Sequence, residues 1–304
     1  MSPGGVWQAT TTAPAVAPGS SVRSEAPAAL VRDRRLGWAI LSVVSVAMVG
    51  VFAKLPETIL PIGTDTGMFA TYARMMLHGG RAYVDFYDIH PPLGYFYWMV
   101  VEALGGTDWS RACLGAWGGS VAPQPCVGLV AHALDLTLTF VTAGLTYAIA
   151  RLLGLKRFVG VLAALFVVWF ANESMISMEG STPTKLTLVP STFAVYAYLR
   201  ALDGGRPVWG IVAGASAMLA VLAKQPALIT LVTFVVFLLP GLVRGGRLER
   251  RLLVGLGLGG LAVLLPTVVY VAATGSLSGF WDQPWVYNLA RLVTGYWQTP
   301  AGLT

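Results

Sequence analysis

Charged residues are scarce in this chain. Lys, Arg, Asp and Glu together make up 11% of its 304 residues, whereas 56% are hydrophobic and the mean hydropathy is +0.68. A soluble domain of this length needs a more polar surface, so the composition excludes that class of protein. It indicates a chain that crosses a lipid bilayer several times.

Several motifs with well-understood chemistry are also missing. The sequence has no glycine-rich P-loop for nucleotide phosphates, no HExxH zinc motif, no Cys-x-x-Cys pair and no heptad repeat. The net charge of +6 gives no reason to expect a nucleic-acid partner, because membrane proteins concentrate basic residues in their cytoplasmic loops.

Seven apolar stretches predict an all-α, polytopic transmembrane helical bundle. About 20 residues cross the hydrocarbon core, and shorter stretches can be completed by flanking Lys and Arg side chains that reach the interface. Residues 1–35 precede the bundle; they are rich in Pro, Ala, Ser and Thr, which predicts a disordered cytoplasmic tail. Residues 36–304 form the transmembrane domain, with spans at about 36–53, 127–150, 158–171, 186–200, 208–223, 227–243 and 252–273.

The distribution of charge predicts the orientation. With the N-terminus in the cytoplasm, more than half of the basic residues lie on the cytoplasmic side, as the positive-inside rule requires. Most acidic residues lie on the other side, although acidic residues contribute little to topology. Their placement therefore favours an extracytoplasmic functional site in a multi-pass protein of the plasma membrane.

The first outer loop, residues 54–126, is too long for a simple connection. The segment "GTDTGMFATYARMMLHGG" predicts a helix that starts at Thr64 or Asp65 and stops at a Gly-Gly pair, and "LGYFYWMVVEAL" predicts a second helix after a Pro-Pro pair; both would lie at the membrane interface. Cys113 and Cys126 fall in the same loop. In an oxidising compartment they could form a disulfide; the alternative is two thiols packed as small hydrophobic groups.

Between these helices, "DFYDIHPPL" places Asp85, Asp88 and His90 within a few residues of one another. Asp85 by itself is also compatible with an ordinary solvated turn. The order of "DTGMFATYARMMLHGGRAYVDFYDIHPPL", "LAVLAKQPALI" and "SGFWDQPWVYNLARLVTGY" resembles that of GT-C class glycosyltransferases, the superfamily of protein O-mannosyltransferases and aminoarabinose transferases. The resemblance implies transfer of a sugar from a polyprenyl-phosphate donor to an acceptor on the extracytoplasmic face, among membrane lipids.

The resemblance also implies roles for individual residues. Asp65 corresponds to the aspartate that acts as catalytic base or organises the acceptor, and an N-cap role for it is compatible with this. His90 stands where relatives carry a lysine that contacts the lipid phosphate. Ile89 replaces their glutamate, and Asp88 is the adjacent carboxylate that could substitute for it. Arg74 is a further candidate for binding the donor phosphate.

Two other outer segments supply candidates. Lys224 ends a span of small residues just before Pro226 interrupts the helix, and an ionisable group at such a break is a candidate for phosphate binding. Its alternative is an anchoring side chain that reaches the interface. Glu179, which precedes a Gly-Ser-Thr-Pro turn, is the acidic residue that best matches the family in the second outer loop, and it could equally be ordinary loop solvation.

A polytopic transporter or lipid flippase without transferase activity is the alternative function. Transporters place ionisable groups near the bilayer midplane and contain internal repeats, whereas here these groups lie in outer loops and no repeat is visible. The sequence leaves open the sugar, the acceptor and any divalent metal. Relatives usually continue with further spans, so we expect this chain to be a fragment.

Overall fold

The computed structural model describes residues 28–58, 64–106, 112–114, 124–172, 182–204 and 206–294. The chain divides into two compact units, one up to Leu41 and one from Ser42 onward. Of the first unit, the described part is the N-terminal portion of helix α1 (Ala28–Thr58). All contacts discussed below lie within the second unit.

The described residues of the second unit are almost entirely helical. After α1 come α2 (Thr64–Leu77), α3 (Leu93–Gly105) and a short antiparallel pair, β1 (Ala112–Leu114) with β2 (Gln124–Pro125), in which Ala112 lies opposite Pro125. Further helices follow: α4 (Cys126–Leu152), α5 (Arg157–Ala171), α6 (Pro183–Leu186), α7 (Leu188–Gly204) and α8 (Pro207–Ala223). A 3₁₀ turn (Gln225–Ala227) leads into α9 (Leu228–Val243), α10 (Arg247–Ala273), α11 (Leu277–Trp281), a π-helix (Asp282–Tyr287) and α12 (Asn288–Thr294).

The apolar stretches of the sequence coincide with helices. Three of these are long and apolar enough to cross a membrane, namely Cys126–Leu152, Gln225–Val243 and Arg247–Ala273. Three shorter apolar helices lie at Trp38–Lys54, Arg157–Ala171 and Pro207–Ala223. The helical, membrane-spanning character predicted from the sequence is thus confirmed, and the bundle of seven spans stays a prediction.

Helices α8 and α10 pack closely because glycines leave room at their contact. A Cβ atom at Gly214 would overlap the carbonyl of Leu256, and one at Gly259 would overlap the carbonyl of Ile211. Small residues drive helix association in lipid, where close van der Waals contact replaces the hydrophobic effect. These two helices, with α7 and α9, enclose a core that includes Ala197.

A second core lies under the predicted outer loop and is rich in aromatic residues. Tyr95 and Trp98 on α3 and Phe69 on α2 are fully or almost fully buried, and Val127 at the start of α4 packs with them. This core includes Leu222 near the end of α8, so the loop helices rest on the helical bundle. It fixes the segment between α2 and α3 against the helix ends.

Candidate active site

The segment between α2 and α3, residues 78–92, forms one wall of the candidate site. Its course begins at Gly79, whose positive φ of 91° ends α2 in the manner of a glycine C-cap. Tyr83 also has a positive φ, 64°, which a bulky side chain rarely adopts. Its hydroxyl donates a hydrogen bond to the His90 carbonyl at 2.8 Å, which links two residues inside the segment.

Asp88 and His90 are directly bonded. The Nδ1 atom of His90 lies 2.7 Å from Oδ1 of Asp88, and the backbone N–H of His90 donates to the same oxygen at 3.2 Å. The Asp88 side chain is 3% exposed, whereas His90 is 23% exposed, so the carboxylate lies behind the imidazole. A carboxylate on Nδ1 fixes the ring orientation and leaves Nε2 for a ligand.

Tyr95 binds the other oxygen of this carboxylate. Its hydroxyl donates to Oδ2 of Asp88 at 2.7 Å. Burial raises the pKa of Tyr95 well above its usual value, and nearby Tyr83 and Asp88 raise it further. The hydroxyl therefore stays protonated and remains a donor. Both oxygens of Asp88 are thus engaged, one by His90 and one by Tyr95.

Two distant segments reach this wall through amide side chains. Gln225, which follows Lys224, donates to the Ile89 carbonyl at 2.7 Å, and Asn288 donates to the same carbonyl at 2.9 Å. Gln283 accepts from the backbone N–H of Asp88 at 3.0 Å. The three sequence segments on which the family resemblance rests therefore meet at residues 88–90.

Lys224 lies at the break predicted from the sequence. It follows α8 in an extended conformation, and its Nζ donates to Oγ1 of Thr184 at 2.5 Å. The side chain of the next residue, Gln225, donates a hydrogen bond to the carbonyl of Ile89, the residue before His90. The segment that carries Lys224 is therefore bonded to the segment that carries His90.

A buried ionic network lies beside Thr184. The ammonium of Lys185 contacts Oδ2 of Asp135 at 2.5 Å and Oδ1 of Asn172 at 3.2 Å. Lys54, near the end of α1, contacts the same Asp135 oxygen at 2.5 Å. All three charged side chains are at most 1% exposed. The network joins α1, α4 and α6 behind the segment that Lys224 contacts.

Two predicted site residues fall outside what the structure describes. Glu179 lies in the undescribed residues 173–181, and Asp65 lies in the first turn of α2 without a described side chain. Asp65 is four residues before Phe69, whose ring centroid is 5.1 Å from that of His90. Their catalytic roles stay predictions.

Arg74 and Asp85 have local partners. The guanidinium of Arg74 lies 3.5 Å from a carboxylate oxygen of the fully buried Glu102 on α3. Asp85 is exposed and pairs with Arg81 four residues earlier, and these hydrogen bonds lower the pKa of Asp85. Asp85 thus closes a surface turn, and Arg74 ties α2 to α3.

Cys126 forms a disulfide bond, as the first residue of α4. Cys113 lies in β1, next to the Ala112 that pairs with Pro125, and its side chain is outside the described set. The pairing of the two cysteines stays a prediction. Among the side chains that are described, no group of three or more His, Cys, Asp or Glu is placed to hold a metal ion.

The sequence patterns predicted no role for three amide side chains of the site or for Lys54. These amides are Gln225, Gln283 and Asn288. They lie inside the segments that carry the family resemblance, and this position is the sequence feature that indicates a role at the site. Asp135 and His132, three residues apart on α4, are both buried, and Asp135 contacts two lysines of other elements. Partners so far apart along the chain leave no local pattern.

Comparison with known families gives a match over part of the chain. Residues 129–270 match the family model described as dolichyl-phosphate-mannose-protein mannosyltransferase. Comparison with curated proteins and with solved structures gives no significant match. The matched range includes Asp135, Lys185 and Lys224, whereas Asp65 and His90 precede it.

The family match confirms the resemblance found in the sequence, and the apolar helices agree with it. The match covers slightly less than half of the chain and supports a membrane glycosyltransferase of the GT-C class. In general terms, the match also supports a sugar donor linked to a polyprenyl phosphate.

Proposed function

We propose that this protein transfers a sugar from a polyprenyl-phosphate donor to an acceptor on the extracytoplasmic face of the plasma membrane, at a site between the His90 segment and Lys224. The observation that carries the proposal is the hydrogen bond of 2.7 Å between the Gln225 side chain and the Ile89 carbonyl. It joins two chain positions 136 residues apart, each next to a residue that can carry a positive charge.

The reaction needs few groups. A hydroxyl of the acceptor attacks the anomeric carbon of the sugar, the bond from that carbon to the phosphate oxygen breaks, and the electron pair leaves with the phosphate. The hydroxyl proton passes to a carboxylate, and the products are the glycosylated acceptor and the polyprenyl phosphate. Because a phosphate leaves without needing a proton, the enzyme requires a base and groups that hold negative charge.

Asp65 is the proposed base, and Glu179 is the second carboxylate for which we propose a catalytic role. His90 and Lys224 are the proposed ligands of the donor phosphate. His90 suits this role because Asp88 contacts its Nδ1 atom and fixes the ring, while part of the imidazole faces solvent. Arg74 is a weaker candidate, since its guanidinium contacts Glu102.

The test uses membranes that contain the full chain and a radiolabelled polyprenyl-phosphate mannose. We expect the wild type to move label out of the lipid-linked pool, Asp65→Asn to abolish transfer, and His90→Ala and Lys224→Ala each to raise the KM for the donor. Trp169→Phe, on an exposed apolar position of α5, serves as the control.

Undiminished transfer by Asp65→Asn would remove that residue from the role of base. If label crosses the bilayer while still attached to the lipid, with no transfer by any variant, the flippase alternative replaces the transferase. If mannose is not transferred, the same assay is repeated with other polyprenyl-phosphate sugars, and failure with all of them overturns the proposal.

A further inference from the structure

Two amide side chains and two carbonyls form a closed set of hydrogen bonds at the candidate site. Gln225 donates to the carbonyls of Ile89 and Pro284 at 2.7 and 2.8 Å, and Asn288 donates to the same two carbonyls at 2.9 Å each. An amide group has two N–H donors, so these four hydrogen bonds use both donors of each side chain. We call Gln225, Asn288 and Gln283 the amide clamp.

Gln283 holds the same segment at two other points. Its Oε1 accepts from the backbone N–H of Asp88, and its Nε2 donates to the carbonyl of Tyr83, both at 3.0 Å. The clamp therefore fixes the backbone at Tyr83, Asp88 and Ile89. Asp88 and Ile89 immediately precede His90, and the Tyr83 hydroxyl donates to the His90 carbonyl.

The backbone that the clamp holds is strained. Tyr83 has a φ of 64°, and an aromatic residue in this left-handed region persists only where surrounding contacts impose it. Gln283 binds the carbonyl of this residue, and Gly279 lies so close that a Cβ atom there would be 2.5 Å from the same carbonyl oxygen. Contacts from residues 279–288 thus keep the segment in a conformation that it would not adopt alone.

We propose that Gln225, Gln283 and Asn288 are positioning residues that place the His90 imidazole against the donor phosphate, an inference that rests on the function proposed above. The side-chain N–H groups of the amide clamp donate to backbone carbonyls, so the effect proposed for them is to place the groups that contact the phosphate. Ile89 links Asp88 to His90, and Asp88 holds Nδ1 of the ring. A shift of the Ile89 carbonyl therefore moves both the imidazole and the carboxylate that orients it.

The experiment is a double-mutant cycle on the full chain in membranes, with polyprenyl-phosphate mannose as donor. Gln225→Met and Asn288→Leu keep the size of each side chain and remove its hydrogen bonds, and each is made in the wild type and in His90→Ala. We expect each single variant to raise the donor KM about tenfold with a smaller change in kcat, because misplacement of a binding group weakens donor binding. In the His90→Ala background the same changes should alter KM by less than about twofold.

Two further variants separate positioning from loss of folding. Gln283→Met is the milder clamp variant, to be used if the others fail to accumulate, and it should show the same coupling to His90. Tyr198→Phe removes a hydrogen bond to the Phe234 carbonyl in the core of α7 and α9, away from the clamp, and should leave the donor KM unchanged. The unfolding temperature of every variant is measured in detergent.

The outcomes are distinct. A rise in KM that disappears in the His90→Ala background supports the inference. A rise of equal size in both backgrounds, or no rise in clamp variants that fold, overturns it while leaving the proposed function intact. If His90→Ala alone does not change the donor KM, the phosphate role of His90 is wrong, and the inference falls with it.

Discussion

Asp135 and Lys185, 50 residues apart in the chain, form a buried ion pair in which Nζ lies 2.5 Å from the carboxylate oxygen. Lys54 reaches the same oxygen from α1, so one carboxylate on α4 holds two buried ammonium groups. Lys185 follows Thr184, which accepts a hydrogen bond from Lys224. The pair therefore connects the interior of the helices to the proposed phosphate site.

Replacement of Asp135 should strongly destabilise the fold. Asp135→Ala removes the carboxylate that both buried lysines contact, and loss of one partner of a buried ion pair typically costs about 3–5 kcal/mol. The measurement is thermal or denaturant unfolding in detergent. The matched control is Asp203→Ala, which breaks an exposed pair with Arg200 at 3.8 Å and should change stability by less than about 1 kcal/mol. Equal stability of the Asp135 and Asp203 variants would contradict the structural role given to the network.

The two aspartates of the His90 segment should differ in their effect on activity. Asp88→Asn weakens a charge-assisted contact with His90 and a hydrogen bond from Tyr95, and loss of a hydrogen bond to a charged group lowers kcat/KM by about ten- to a hundredfold when it acts on the reaction. Asp85→Asn changes only an exposed pair with Arg81 and should leave kcat/KM within about twofold. The measurement is the donor dependence of sugar transfer by each variant, and similar losses in both would contradict the assignment.

Glu102 should make stability depend on pH. Burial raises the pKa of this carboxyl above its usual value of 4.5, although Arg74 opposes the shift. Because the folded state binds the proton more tightly than the unfolded state, stability is highest below the usual pKa and falls as pH rises through the raised value. Glu102→Gln should remove this decline, and Arg74→Ala should deepen it. Unfolding temperatures from pH 4 to pH 8 measure the effect, and a Glu102→Gln variant with an unchanged pH profile would exclude it.

The contact between α8 and α10 should tolerate no side chain at Gly259. Gly259→Ala places a methyl group onto the Ile211 carbonyl, and such overpacking costs about 1–3 kcal/mol. Gly257, two residues away, has open space around its Cβ position, so Gly257→Ala should stabilise α10 by up to about 1 kcal/mol through helix propensity. Unfolding of both variants in detergent gives the comparison, and the two effects should have opposite signs.

The sequence alone predicts several local features of the chain, namely where some of its helices begin and end. The C-terminal end of α2 follows from the Gly79-Gly80 pair, and the start of α3 follows from Pro92, because both act on the backbone of their immediate neighbours. The break at Lys224 follows in the same way from Pro226. Of the candidate site, the sequence indicated the segments and several of their ionisable residues, since these are crowded into short polar stretches of an apolar chain.

The sequence by itself determined the membrane-spanning helices, because apolar composition and helix-stopping residues act over a few neighbouring positions. It also pointed to the glycosyltransferase class, through the order of its short motifs. Only the tertiary structure decided that Gln225 and Asn288 share the Ile89 carbonyl and that Lys54 and Lys185 share Asp135. The physical reason is that these partners lie tens to about two hundred residues apart, and packing of the helices, with the exclusion of water that makes each buried polar group find a partner, brings them together.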